Sequence, residues 1–182
     1  MNLNFSIYTS LLVSCLFSIA SIHSQALAIK NSNLEGVNKK TGTFYWWANQ
    51  AKETGRATFS IETTDVNKGS TKALKVTVGK VGEKPWFVST AFSNAFPVKQ
   101  GEGYTVTFFA KRGPKGTGKL GLVFQSDVKG SFQNKQFRLS EEWQPYSHMF
   151  MVPNTSDKNQ IKFWYLEEGT TYFIDDVTVL KE

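Results

Sequence analysis

Cysteine and histidine are nearly absent. The 182 residues contain one Cys and two His. The cysteine, Cys15, and one histidine, His23, lie within residues 1–28, a stretch with no Lys, Arg, Asp or Glu. Residues 29–182 therefore have no thiol chemistry and no disulfide. Their lone His148 sits in a strand-like S-H-M-F, a structural setting. There is no H-E-x-x-H, no nucleophile elbow and no Gly-rich phosphate loop. The stretch R-G-P-K-G-T-G-K at 112–119 has the wrong spacing for a phosphate loop and no helix after it, so it reads as a hairpin loop. The adjacent acids Glu141–Glu142 and Glu167–Glu168 face opposite ways in an extended chain and do not form the paired carboxylates of a glycosidase. An Arg-rich block is missing too. The lysines at 68, 72, 75, 80, 84, 111, 115, 119, 129 and 135 lie singly among strands and turns, although the net charge is +6. That argues against nucleic acid as partner. It leaves a solvated basic surface, suited also to acidic glycans or anionic envelope surfaces.

The uncharged start has a positive reading. The apolar run L-L-V-S-C-L-F-S-I-A and the A-L-A at 26–28 form a secretory signal peptide with a small-x-small cleavage site, predicting residues 1–28 as leader and Ile29 as the first mature residue. The run is too interrupted by Ser to span a membrane. Leu12-Val13-Ser14-Cys15 also fits a lipoprotein box, which would leave a lipidated Cys15 as the N-terminus. Export to the periplasm or cell exterior is expected either way. Residues 29–182 then make one domain, long enough for a core without staples.

No stretch shows a sustained helical period. Alternating apolar segments instead predict strands at 73–78, 104–110, 120–124, 136–139, 146–152, 161–166 and 172–180, separated by Gly-, Asn- and Lys-rich turns. The expected fold is all-β, an antiparallel β-sandwich of jelly-roll type. Aromatics make up 14% of the chain, more than an ordinary core needs, so some are expected at the surface. Parity in I-K-F-W-Y-L points Ile161, Phe163 and Tyr165 inward and Lys162 and Trp164 outward. In L-G-L-V-F-Q it points Leu120, Leu122 and Phe124 inward and Val123 and Gln125 outward. In the last segment, Y-F-I-D-D-V-T-V-L, it places Phe173, Asp175, Val177 and Val179 on the core face. Asp176 then faces out, as a solvated acid that discourages strand addition.

Six landmarks occur in order. They are N-S-N-L-E at 31–35, Trp46-Trp47, G-S-T-K-A-L-K-V-T-V at 69–78, and Trp86 followed by F-P-V-K-Q-G-E-G-Y-T-V-T-F-F-A-K at 96–111. S-E-E-W-Q at 140–144 and Y-F-I-D-D-V-T-V at 172–179 complete the series. Together they resemble the jelly-roll carbohydrate-binding modules of families four, nine and twenty-two, over nearly all of residues 31–180. The opening departs in having Leu34 for the usual Phe, and Asn33 where an acid is common. The resemblance implies a secreted, non-catalytic protein that binds a polysaccharide or other glycan, beside separately encoded glycan-active enzymes. It also implies a structural calcium, with Glu35 and Asp175 as carboxylate ligands and backbone carbonyls near Lys72 completing an oxygen site. The metal-free alternative has Asp175 accepting backbone N–H bonds at a strand end.

Sugar sites pair flat rings with amide and charged side chains. The expected stacking platforms are Trp86, which follows Pro85 where the resembled modules carry a stacking Trp, and Trp164. Gln125 and Arg138 are the expected hydrogen-bond partners. Phe132 is a further aromatic candidate, with Trp46 and Trp47 as alternatives, and Trp143 is assigned to the core. The rival reading buries Trp164 against a loop and Trp86 at one end of the sandwich. Two other functions stand beside sugar binding. One is a structural or protein-interaction sandwich. The other is a jelly-roll polysaccharide lyase, which would need Tyr165, His148, Gln125 and Arg138 on one face.

Overall fold

The computed structural model describes residues 25–27, 33–38, 43–44, 47–50, 54–91, 95–128 and 132–182. Among them there are strands and no helix. In chain order the strands are β1 (Gln25–Ala26), β2 (Val37–Asn38), β3 (Thr43–Phe44), β4 (Trp47–Gln50), β5 (Arg56–Glu62), β6 (Ala73–Lys80) and β7 (Val88–Ala91). They continue as β8 (Phe96–Val98), β9 (Gly103–Arg112), β10 (Lys119–Gln125), β11 (Phe132–Arg138), β12 (Gln144–Met151), β13 (Ser156–Tyr165) and β14 (Thr171–Lys181). One sheet has the order β12-β9-β14-β6-β5, with β1 added to β14. The other has the order β11-β10-β13-β7-β4, with β8 added to β13. The described ladders are antiparallel. The expected β-sandwich is the observed one.

Alternation builds the core. Tyr104, Val106, Phe108 and Ala110 of β9 and Leu74, Val76 and Val78 of β6 are buried from one sheet. Leu120, Leu122 and Phe124 of β10 and Ile161, Phe163 and Tyr165 of β13 meet them from the other. Phe108 and Phe163 touch between the sheets, with ring centroids 5.0 Å apart. Tyr165 and Tyr172 do the same at 5.2 Å. Among the described residues, much of the aromatic excess is therefore spent inside. Large rings span the gap between sheets that aliphatic pairs would leave underfilled.

The last strand departs from simple parity. Between Asp175 and Thr178 the β14–β9 register slips by one residue, and Asp176 has φ 47°. That is a β-bulge with its extra residue in the left-handed region, which Asp tolerates better than most. The slip resets the inward phase. Tyr172 and Ile174 face the core before the bulge, Val177 and Val179 after it. Phe173 consequently points to the outer side of its sheet. There it meets Trp143 at 6.4 Å, and the ammonium groups of Lys75 and Lys111 at 5.4 and 5.5 Å. Trp143 is half-buried in that outer cluster rather than in the core. Asp176 is not an edge residue either. Its strand is central, and its carboxylate accepts from Asn67 Nδ2 at 3.1 Å.

At the other end of the chain, β1 pairs with the end of β14, Gln25 opposite Lys181 and Ala26 opposite Leu180. Leu27 N donates to Val179 O at 2.8 Å, and the Leu27 side chain packs on the core. These residues fall inside the segment expected to be removed as leader.

Candidate functional site

The outer face of the β11-β10-β13-β7-β4 sheet follows from its ladders. Opposed residues share a face. Gly121 lies opposite Trp164 and Gln136, Val123 opposite Lys162 and Asn134, and Gln125 opposite Gln160 and Phe132. Lys119 lies opposite Arg138. Across β7 and β4, Trp164 is followed by Ser89 and Asn49, and Lys162 by Ala91 and Trp47. The ladders thus bring Trp164, Gln125 and Arg138 to one face, and they give Phe132 and Trp47 register positions on it. The side chains of Phe132 and Trp47, and all of Trp46, lie outside the described residues.

Trp86 stands beside this face. It lies in the turn before β7, with Phe87 N donating to Lys84 O at 3.0 Å. Gly82 opens that turn at φ 87°, where a Cβ would come within 2.9 Å of the Thr54 backbone. The Trp86 carbonyl accepts from Asn49 Nδ2 at 3.3 Å and Ser89 Oγ at 3.1 Å. Its ring meets Trp164 at 6.0 Å and Phe87 edge-on at 6.4 Å, with Lys84 Nζ 5.4 Å from the ring centre. The side chain is still 44% exposed. A ring fixed at its backbone and open to solvent is suited to stacking.

Trp164 corrects one expectation. It points outward but is only 9% exposed, because Trp86 packs on it. It supports the exposed ring and is not itself an open platform. Val123 also points outward and is fully buried. Lys162, between them on the face, has its pKa lowered by burial. Gln125 is half-buried, while Arg138, Gln136 and Asn134 are exposed.

The lyase set is not assembled. Tyr165 is fully buried in the core, its hydroxyl 2.7 Å from Thr90 Oγ1. His148 belongs to β12 of the opposite sheet, where it packs edge-on against Phe150 at 4.8 Å. Only Gln125 and Arg138 share the outer face.

Away from this face, Asp175 and Glu35 lie near enough for their charges to interact. Asp175 is 0% exposed. Its Oδ1 accepts from Asp176 N at 2.8 Å, and its Oδ2 has no hydrogen-bond partner among the described residues. Burial raises its pKa to about 6, and the Asp176 and Glu35 charges add to the rise against the bond from Asp176 N–H. Glu35 Oε1 accepts from Thr71 N at 2.7 Å and Lys72 N at 3.1 Å. Glu35 Oε2 accepts from Thr71 Oγ1 and lies 3.4 Å from Lys72 Nζ. An orphaned buried carboxylate oxygen next to a second acid is chemistry that a hard cation fits. Ligation by Glu35 would displace the Lys72 ammonium. No group of three or more His, Cys, Asp or Glu is gathered for a metal among the described residues. Backbone carbonyls or water would have to complete the shell.

Comparison with solved structures finds this architecture repeatedly. A CBM4 structure matches at 23% identity over 85% of this chain and 100% of the other, with TM-score 0.60. The CBM22-1 xylan-binding domain of Paenibacillus barcinonensis Xyn10C matches at 11% identity over 82% and 90%, with TM-score 0.57. The fold is that of the carbohydrate-binding modules. It also occurs inside enzymes. An arabinose-bound α-L-arabinofuranosidase, MgGH51, matches at 12% identity over 84% of this chain, which spans 26% of that protein, with TM-score 0.64. At these identities the likeness is one of fold. No family model and no curated protein sequence matches the chain.

Several residues of the outer face escaped sequence reasoning. β4 and β7, which carry Asn49, Ser89 and Ala91, are four residues each and too short to show a period. β11 begins at Phe132, ahead of the expected start at 136, because Q-N-K at 133–135 has no apolar residue to show an alternation. Its Asn134 and Gln136 were legible only once the register with β10 was known.

Proposed function

We propose that the chain is an exported, non-catalytic domain that binds polysaccharide on the outer face of the β11-β10-β13-β7-β4 sheet. The observation that carries this reading is Trp86, an exposed ring held at the rim of a face that also presents the amides of Gln125, Asn134 and Gln136 and the cations Lys119, Arg138 and Lys162. Sugar rings offer an apolar C–H face to such an indole, while Gln125, Arg138 and their neighbours reach the hydroxyl edges. Export is by a signal peptide, cleaved after Ala28 or, in the lipoprotein alternative, before a lipidated Cys15, and the partners are glycans and separately encoded glycan-active enzymes. Asp175 and Glu35, with backbone carbonyls near Lys72, hold a structural calcium. Bound there, the metal would supply positive charge to two neighbouring acids and no catalysis.

Affinity electrophoresis in gels loaded with soluble polysaccharides tests the binding reading. Retardation by at least one polymer is expected, and Trp86→Ala abolishes it with little change in melting temperature. Unaltered affinity together with a large loss of stability would show that Trp86 serves the core alone. A protein-interaction role is favoured by one observation, the exposed Met149 and Met151 on edge strand β12, 51% and 50% accessible. That reading requires retardation to be absent for every polymer.

A further inference from the structure

Charge is distributed unevenly between the two outer faces. On the β12-β9-β14-β6-β5 sheet and its margins, cations and acids alternate and pair. Lys75 meets Glu62, Lys111 meets Asp65, and Lys181 meets Glu102, at 2.8, 2.8 and 2.6 Å. On the other outer face the strand positions read Lys119, Gly121, Val123 and Gln125 on β10, then Arg138, Gln136, Asn134 and Phe132 on β11. They continue as Trp164, Lys162 and Gln160 on β13, Ser89 and Ala91 on β7, and Asn49 and Trp47 on β4. None of these positions holds an Asp or Glu. Lys84 adds a further cation beside the Trp86 ring. Lys84, Lys119 and Arg138 take part in none of the ion pairs found among the described residues.

We propose that the ligand of this face is an acidic polysaccharide, whose uronate carboxylates meet Lys162, Arg138 and Lys119 while one of its sugar rings stacks on Trp86. The inference rests on the sugar-binding reading and narrows its ligand class. Neutral sugar hydroxyls need acceptors as much as donors, and the strand positions named here offer amide oxygens but no carboxylate; Glu167, at the margin beside Lys119, has its carboxylate bonded to the Thr117 and Lys119 backbone. A carboxylate accepts only. It matches a donor-rich face, and a guanidinium can grip it through two parallel bonds. Lys162 contributes in a second way. Burial disfavours its charged form, and an arriving anion restores that form by opposing the cost.

The test compares polygalacturonate, alginate and glucuronoxylan, each with its carboxyl-reduced counterpart, in affinity gels at low and high salt. Poly-glutamate serves as a polyanion without sugar. At least one acidic polymer is expected to retard the protein, with its reduced form inert and poly-glutamate inert. Arg138→Gln should weaken that binding on the order of 10-fold, the scale of one charged hydrogen bond, and added salt should weaken it further. Trp86→Ala should abolish it. Equal retardation by acidic and reduced polymers, or by a neutral form alone, overturns the acidic ligand and leaves sugar binding standing. Binding to poly-glutamate that survives Trp86→Ala overturns it as charge attraction alone. No retardation by any polymer removes both readings.

Discussion

Two tryptophans that touch have different tasks. Trp86 is anchored through its carbonyl by Asn49 and Ser89 and leaves its ring open, whereas Trp164 is packed beneath it. Removing the buried ring leaves a cavity, so Trp164→Ala is expected to destabilise the fold by about 3 kcal/mol and to weaken ligand binding by releasing Trp86. Denaturant midpoints with gel retardation read both effects, and unchanged stability would deny that Trp164 is packed as described. The acids at the other site give a second residue-level expectation. A metal that binds only the folded state raises its stability by mass action. Melting temperature should therefore be higher in calcium than in chelator, and Asp175→Ala should erase the difference. Identical curves after thorough chelation, with no metal by elemental analysis, would remove the calcium proposal. Trp86 was legible in the sequence because it follows Pro85 where the resembled carbohydrate-binding modules carry a stacking Trp. The burial of Trp164 was not, because strand parity gives a direction but not what lies on top.

Strand β14 shows how one inserted residue changes the reading of an element. Alternation through Y-F-I-D-D-V-T-V-L assigns Phe173 and Asp175 to the core. The bulge at Asp176 moves the phase, so both leave the core face while Val177 and Val179 stay on it. A strand has period two, so one extra residue inverts every later assignment. Beyond Leu74, β6 no longer pairs with β14, and the end of β14 is covered on that side by β1. A chain beginning at Ile29 lacks β1, its Leu27 N–H bond to Val179 and the packing of Leu27. Compared with a chain beginning at Gln25, it should lose roughly 2 kcal/mol, the scale of one partly buried leucine and its ladder bonds. Thermal melts of the two chains decide this, and coincident curves would mean that β1 contributes nothing.

At the scale of the whole molecule, one carboxylate ties the end of β14 to the turn before β9. Glu102 accepts from Lys181 Nζ at 2.6 Å, Tyr104 hydroxyl at 2.8 Å and Lys99 N at 3.0 Å. The Lys181 bond first, then those from Tyr104 and Lys99, lower its pKa to about 2 from the usual 4.5. A carboxyl lowered in the folded state binds its proton more readily when unfolded. Its stabilisation is therefore complete above about pH 4.5 and fades as pH falls toward 2. Glu102→Gln should be less stable than the parent near neutrality, and the gap should close on acidification through that window. A gap independent of pH would show that the charge of Glu102 does not act through these bonds.

Composition and alternation by themselves determined the class of this protein. With no helical period and with alternating apolar strands, a β-sandwich is the arrangement that buries one face of every sheet. The inward residues Leu120, Leu122 and Phe124 of β10 and Ile161, Phe163 and Tyr165 of β13 followed from parity, because the β10–β13 ladder is unbroken across them. The sequence also excluded thiol chemistry from residues 29–182 by containing no cysteine there. Tertiary structure alone decided the rest. It paired β10 with β11 and β13, and so set Lys162, Arg138, Gln125 and Trp164 on one face, since residues far apart in sequence become neighbours only through register. It covered Trp164 with Trp86, placed the bulge that turns Phe173 outward, and separated Tyr165 from His148 by putting them in different sheets. Each of these depends on which strand lies next to which, and an alternating pattern is equally compatible with many neighbours.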